Sequence, residues 1–530
     1  MLFLLIIIIK YDNYIKETNK GDIHIIQDVL ESIVKLASPN NHREILASAL
    51  YHLSDLYEKQ ISTSSKAFEM LTVAADLGDT NALHRLSIAY ATGIYMGHLV
   101  PMDGGRAIFL ENMAALAGSP EANMAMGYRY LFGIGVKQSC EKAQSHYEFA
   151  ANKAIEQIQE RRAALHVERT LLSHVENMNS KGRRELDGEV TDYYVHLAEE
   201  GNINAAMTLA NMFMTGSRFL EQSFSKAAHF FSIAADAGHP AASGKLSYLL
   251  ALQADKGDKI DIEKVLSLAR FSANKGDPVG LLSIGFLHYR GLNVEQDFVK
   301  AMEYFQKVLN KHPDAGFYMG EILMGKGQRV SINSGKPIIP IDLSAAAQCY
   351  AVASQQGHPI ALHRLAHMSA RGIGVATSCQ TATNGYKNVA EKGDWAYSLT
   401  IANRQAEAGD IMSAILLFSR LSVMGIEPAQ FNTAYLLGII IFFFLSSLIS
   451  SLSSLSLGKL NRCLPWIKQP NMIKSSISDM PFVDQSQNLL DYGNVAVIMS
   501  YKEWANTTNR QGNHYHYHCY CYCYCYYHYY

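Results

Sequence analysis

One spacing recurs through this chain and constrains it more than any other feature. A small or aliphatic residue is followed seven positions later by an apolar or small one, and eleven positions later by a glycine. Ala67 leads to Ala74 and Gly78, Ala107 to Ala114 and Gly118, and Ala227 to Ala234 and Gly238. Val190 likewise leads to Gly201, Val265 to Gly276, Ala346 to Gly357, Ala382 to Gly393 and Ala414 to Gly425, with degenerate copies starting at Ala143 and Ala301. Seven and eleven residues are two and three helical turns, so these positions share one face. The closing glycine suits a left-handed helix cap, and Asp, Asn or His-Pro often follows it. Before each copy sits a second half-repeat: small, apolar at +4, small at +5, often Gly at +11. Ala82-Leu86-Ser87-Gly93, Ala122-Met126-Gly127-Gly133, Ala205-Leu209-Ala210-Gly216 and Ala361-Leu365-Ala366-Gly372 follow that plan. A small +5 residue is expected wherever two helix backbones approach closely. Copies start 40, 36, 47, 37, 38, 36, 45, 36 and 32 residues apart. The unit is therefore a helical hairpin, and stacked hairpins make an α-solenoid.

Tetratricopeptide repeats keep a fixed unit of about 34 residues. The unit here is longer and carries a Gly-x-Gly-Val signature in its loop, best seen at Gly133-Ile134-Gly135-Val136 and Gly372-Ile373-Gly374-Val375. That pattern resembles the Sel-one-like repeat family. Met126 to Ala143 (MGYRYLFGIGVKQSCEKA), Ala361 to Ala382 (ALHRLAHMSARGIGVATSCQTA) and Pro428 to Leu437 (PAQFNTAYLL) are similar to its adaptor members in endoplasmic-reticulum-associated degradation (ERAD). The resemblance covers about 60 to 437. It implies an all-α, right-handed superhelix of about ten Sel-one-like, TPR-like hairpins over 47–437. It also implies a non-catalytic adaptor in the ER lumen that stabilises an HRD-type membrane ubiquitin ligase and hands it misfolded glycoproteins from lectin-type substrate receptors. A soluble cytoplasmic scaffold in signalling is the alternative, and a carbohydrate-active enzyme, which would need two opposed carboxylates, is a distant third.

Composition narrows the field. With 46 Lys+Arg against 48 Asp+Glu the net charge is −2, which argues against a nucleic-acid partner, since such proteins carry a basic stripe. The Gly-x-Gly loops have no preceding strand and no Gly-Lys-Ser/Thr after them, so they are not phosphate cradles. No His-Glu-x-x-His pair, nucleophile elbow or spaced carboxylate pair asks for catalysis, and no cofactor or metal is expected. Cys140 and Cys379 each follow a serine at matching places in two repeats. Six repeats apart in one solenoid, they are expected to be buried packing thiols that do not bridge each other. Tyr128 and Tyr130 are expected to pack between hairpins.

The expected layout runs as follows: 1–46, an apolar run (Leu2 to Ile9) and a leading helix; 47–152, a first repeat block; 153–189, a charged insert with an amphipathic run near Ala163 to Val175, read as an inserted helix and hinge; 190–437, a second block. The region 438–483 belongs to an apolar Ser/Leu-rich run and linker. That run, Leu436 to Leu457, is uncharged and long enough to span a bilayer, or else reads as translated intron. Leu2 to Ile9 reads as a fragment of a signal or an incomplete gene start. A partial repeat at 484–513 holds Asn506, a glycosylation acceptor if luminal, and 514–530 is a His/Tyr/Cys tract expected to be disordered.

Overall fold

The ten residues that start the seven-and-eleven spacing all fall two or three positions into a helix. A computed structural model describes residues 22–37, 42–58, 64–95, 98–161, 165, 167–173, 188–216, 220, 222–326 and 339–451. Among them are 21 α-helices. The first run is α1 (Asp22–Leu36), α2 (Arg43–Glu58), α3 (Ser64–Asp76), α4 (Thr80–Thr92), α5 (Gly104–Leu116), α6 (Pro120–Phe132) and α7 (Cys140–Arg161). The second is α8 (Gly188–Glu199), α9 (Ile203–Thr215), α10 (Phe224–Asp236), α11 (Pro240–Asp255), α12 (Ile262–Asn274), α13 (Pro278–Arg290), α14 (Phe298–Val308), α15 (Pro313–Leu323), α16 (Leu343–Gln355), α17 (Pro359–Arg371) and α18 (Cys379–Ala390). A 3-10 turn at Asp394–Tyr397 leads to α19 (Ser398–Glu407), α20 (Ile411–Val423) and α21 (Glu427–Ser451). Between α4 and α5 lies a two-stranded hairpin, β1 (Ile94–Tyr95) with β2 (His98–Leu99), a small departure from an all-helical chain.

Local chemistry explains why the helices start and stop where they do. Gly78, Gly118, Gly201, Gly238, Gly276 and Gly357 all have positive φ, the left-handed geometry that closes a helix. The next residue then opens the following helix. The side chains of Asp79, Ser119, Asn202, His239, Asp277 and His358 accept from the backbone amides of Ala82, Ala122, Ala205, Ala242, Gly280 and Ala361, satisfying an N–H that the helix itself cannot. A sharp corner between antiparallel helices thus needs only two adjacent residues.

Within each run packing is mainly between consecutive helices, with α11 also lying against α13, and the repeat positions form the core. Ala67, Ala107, Ala143, Ala227, Val265, Ala301, Ala346, Ala382 and Ala414 are all buried. The close backbone approach expected at the +5 site is instead a ring seated on a small residue. A Cβ built at Gly127 would stand 3.0 Å from the Tyr147 ring, and one at Gly285 2.7 Å from Phe305. The deciding position is four residues after each repeat start: Tyr147, Phe231, Phe305, Tyr350, Tyr386 and Phe418 are among the largest fully buried side chains. The +5 residue is small because it floors that ring.

Three further expectations change. The boundary at 152 falls inside α7, which runs unbroken to Arg161. Of the amphipathic run near Ala163 to Val175, residues 167–171 are not helical, their backbone being gripped by other elements, while Leu172 and Ser173 are. For Leu436 to Leu457, α21 continues to Ser451, and no helix among the described residues is long and apolar enough to cross a membrane. Leu2 to Ile9, Asn506, the partial repeat and the His/Tyr/Cys tract lie outside the described residues.

Candidate functional site: the seam between the blocks

The end of the first block is fastened to the end of the second. Helices α7 and α18 lie side by side, and the register of their contacts is nearly constant. A disulfide joins Cys140 to Cys379, the Tyr386 hydroxyl donates to Glu148 Oε1 (3.3 Å), and the Asp394 amide donates to Gln157 Oε1 (3.0 Å). These pairs are separated by 239, 238 and 237 residues, so the helices run parallel and present equivalent faces of two repeats to each other. The expectation that Cys140 and Cys379 cannot bridge is therefore wrong. Distance along a solenoid bounds separation in space only if the stack does not return on itself, and here the Cα atoms are 6.2 Å apart.

Polar contacts extend the seam. His363 on α17 meets Asn152 on α7, Nε2–H donating to Oδ1 at 2.8 Å. Burial first, then Arg364 and His367, bring the His363 imidazole down to about 4. Arg169 Nη2 pairs with Glu391 Oε2 at 2.8 Å, and Arg161 pairs with Asp394. A second contact joins α20 to the first block. Arg420 is half-buried near Arg85, Tyr51, Asp55 and Glu121, and desolvation followed by the Arg85 charge lowers its affinity for the proton. Beside it, Arg85 Nη1 donates to Asp55 Oδ1 at 3.0 Å. Within the first block, His84 Nδ1 lies 2.8 Å from Glu111 Oε1, and Ser87 also donates to that carboxylate.

The signature glycines divide by their neighbours. Gly133 and Gly372 cap α6 and α17 with left-handed φ. Gly135 and Gly374 are left-handed too, and a Cβ on them would press into Ile108 and the Leu343 carbonyl, on the second helix of the repeat before. The Gly-x-Gly loop is thus an inter-repeat packing point. Gly425 is left-handed, and a Cβ there would overlap the Tyr128 ring of α6. Gly393 departs from the expected left-handed cap: its φ is −69°, and it is small because the Trp395 indole covers it. Gly105 lies in the first turn of α5. Tyr128 packs on Phe132 and Tyr130 stacks on His146. Sequence reasoning missed Thr400, Asn403, Asn432, Glu391 and Arg420; the repeated Ser-Cys after each Gly-x-Gly-Val loop was the one signal pointing at the seam. Among the described residues no group of His, Cys, Asp and Glu is placed to hold a metal.

The repeat unit itself decides the family. The Sel1 repeat profile matches residues 47–79, 120–154, 203–239, 278–308, 320–358 and 359–382. It is a Sel1-repeat protein. Protein sel-1 homolog 2 of Mus musculus is 32% identical over 177 residues, 33% of this Sel1-repeat chain and 25% of the relative. The ERAD-associated E3 ubiquitin-protein ligase components HRD3A and HRD3B of Arabidopsis thaliana are more distant. HRD3A is 27% identical over 42% of this chain and 32% of its own, and HRD3B is 25% identical over 79% of this chain and 58% of its own. The Sel1-repeat chain thus aligns with about a quarter of the sel-1 homolog and less than two thirds of either plant protein. A solved Sel1 repeat protein from Oxalobacter formigenes covers 74% of the chain at 20% identity, with a TM-score of 0.29.

Proposed function

We propose that this Sel1-repeat scaffold is a non-catalytic adaptor of ER-associated degradation, which binds an HRD-type membrane ubiquitin ligase and presents to it misfolded glycoproteins received from lectin-type receptors. The observation that carries the reading is the alignment with the ligase component HRD3B along 79% of the chain. Two structural features support it. Disulfides persist in oxidising compartments and are rare in the cytosol, so the Cys140–Cys379 bridge suits the ER lumen and speaks against the cytoplasmic scaffold. Stacked hairpins also offer an extended surface on which several partners can be held at fixed separations.

The test is affinity purification of the full chain from membranes solubilised in mild detergent, followed by mass spectrometry and thiol labelling. Recovery of a membrane ubiquitin ligase, with Cys140 and Cys379 oxidised, is the expected result. Recovery of cytosolic partners alone, with both thiols free, defeats the reading.

A further inference from the structure

Residues 167–172 cross the C-terminal helices as a strap, and what the fold grips is its main chain. The Glu168 amide donates to Thr400 Oγ1 (2.9 Å), and Asn403 Nδ2 donates to the Glu168 carbonyl (2.9 Å) and to Thr170 Oγ1 (3.2 Å). Asn432 Nδ2 donates to the Thr170 carbonyl (3.1 Å), while Asn432 Oδ1 accepts from the Leu172 amide (3.0 Å). Glu168 and Thr170 present their peptide groups on the same side, as alternate residues of an extended segment do, and Leu172 opens the helical turn that follows. The grip is built into the helices. Asn403 and Asn432 are both 0% exposed and touch each other, Asn432 Nδ2 lying 3.4 Å from Asn403 Oδ1. Buried amides left without partners are strongly unfavourable, so these two require a peptide backbone in front of them.

Peptide groups are common to every residue, and the strap's identity is read only at its sides. Leu172 is buried in the core shared by the two blocks, Val167 packs against the same core, and Arg169 meets Glu391. The pattern is apolar, basic two residues on, apolar three further. We propose that the groove formed by Thr400, Asn403 and Asn432 is a binding site for extended polypeptide, filled here by the chain's own residues 167–172 and open in trans to an extended stretch of a non-native polypeptide carrying that pattern. The strap is a placeholder that keeps the buried amides satisfied. It also lowers the apparent affinity for an outside segment by the fraction of time the groove is self-occupied. The site deepens the adaptor reading by giving it a place to hold an unfolded client. It is tested by peptide binding alone, which can hold where ligase capture fails, or fail where capture holds.

The probe is the fluorescein-labelled decapeptide LHVERTLLSH, residues 165 to 174, followed by anisotropy on the full chain. Saturable binding is expected to be at least tenfold tighter to a chain whose residues 167–172 are replaced by Gly-Ser repeats than to the native chain. It is expected to be lost when Asn403→Ala and Asn432→Ala are added. A peptide carrying Val167→Asp and Leu172→Asp should not bind. Reduced, carboxymethylated α-lactalbumin should compete and native α-lactalbumin should not; failure of the unfolded competitor overturns the non-native source. If the replaced chain does not fold, Leu172→Asp in the full chain loosens the strap at constant length and should tighten peptide binding in the same way. Hydrogen exchange on the native chain closes the remaining case: excess peptide should speed exchange of the Glu168 and Leu172 amides. Unchanged exchange, no binding to the loosened strap, or equal binding of the Asp-substituted peptide overturns the proposal.

Discussion

Cys140 and Cys379 occupy the same place in two different repeats and are joined to each other across 239 residues. Each is the first residue of a helix that follows a Gly-x-Gly-Val loop, so the bond links two copies of one structural position. Everything from α8 to α17 hangs between them. The bridge should therefore hold the architecture together more than it holds any single repeat.

Removing it should be costly. Closing a loop this long constrains the unfolded chain by about 5 kcal/mol in the chain-entropy treatment, and removing native bridges typically costs 2–5 kcal/mol. Cys379→Ser is expected to lower the melting temperature by several degrees, with reductant producing the same fall in the wild type and none in the variant. Calorimetry with and without reductant checks this; a reductant-insensitive wild type would show that the bridge is not formed.

Gly127 is floored against the Tyr147 ring, whereas Gly105 in the first turn of α5 has only Asp103 Oδ1 near, at 3.5 Å. Gly127→Leu should destabilise by about 1–3 kcal/mol through overpacking, and Gly105→Ala should be neutral or stabilising by a few tenths to about 1 kcal/mol. Because Tyr147 sits on α7, the Gly127 variant should also lose simultaneous binding of two partners before it loses helicity. Paired circular dichroism melts and two-partner pull-downs decide the point.

Gly425 and Gly357 separate backbone strain from contact. Both have positive φ, but a Cβ at Gly357 would meet nothing within 4 Å, while one at Gly425 would strike Tyr128 in the other block. Gly357→Ala should cost about 1–2 kcal/mol from the left-handed backbone alone, and Gly425→Ala distinctly more. A double-mutant cycle with Tyr128→Ala should recover the excess. Equal costs for the two glycine variants would mean that α20 does not pack on the first block.

Acidification should weaken the seam. His363 is held neutral to about pH 4 in the fold, against about 6.5 in an unfolded chain. Between those values the unfolded state binds a proton that the native state does not, so stability is lost as pH falls through that window, by roughly 3 kcal/mol at most. His363→Gln retains a donor for Asn152 and should flatten the loss. Melting temperatures at pH 7.5 and 4.5 are the measurement; parallel falls in both proteins would exclude His363 as the cause.

The repeat architecture was legible because it is local. Each glycine cap, the polar residue after it and the buried alanine three residues into the helix are set by neighbours within a dozen positions. The aromatic four residues on, at Tyr147, Phe305 or Tyr386, was equally local and went unread only because Leu71, Glu111 and Ala269 break the series. The seam is different in kind. That α7 meets α18 depends on the curvature accumulated over all the intervening hairpins, to which each residue adds too little to be read. The strap misled for another reason: Val167 and Leu171 fit a helical period with Leu172, yet helix begins only at Leu172, and Asn403 and Asn432 offer the preceding peptide groups better partners than a helix would.

The parallel pairing of α7 with α18 also sets an order of events during synthesis. When α7 leaves the ribosome its partner is still 239 residues away, on the order of tens of seconds at about 5–20 residues per second. Until then the face carrying Cys140 and Glu148 has no neighbour, and long-range pairing of this kind is slow to form. The first block must therefore wait, uncovered, with an unpaired Cys140 thiol at its open end. An oxidant that acts early would trap the wrong partner, so correct assembly of this chain depends on when its cysteines are oxidised as well as on whether they are.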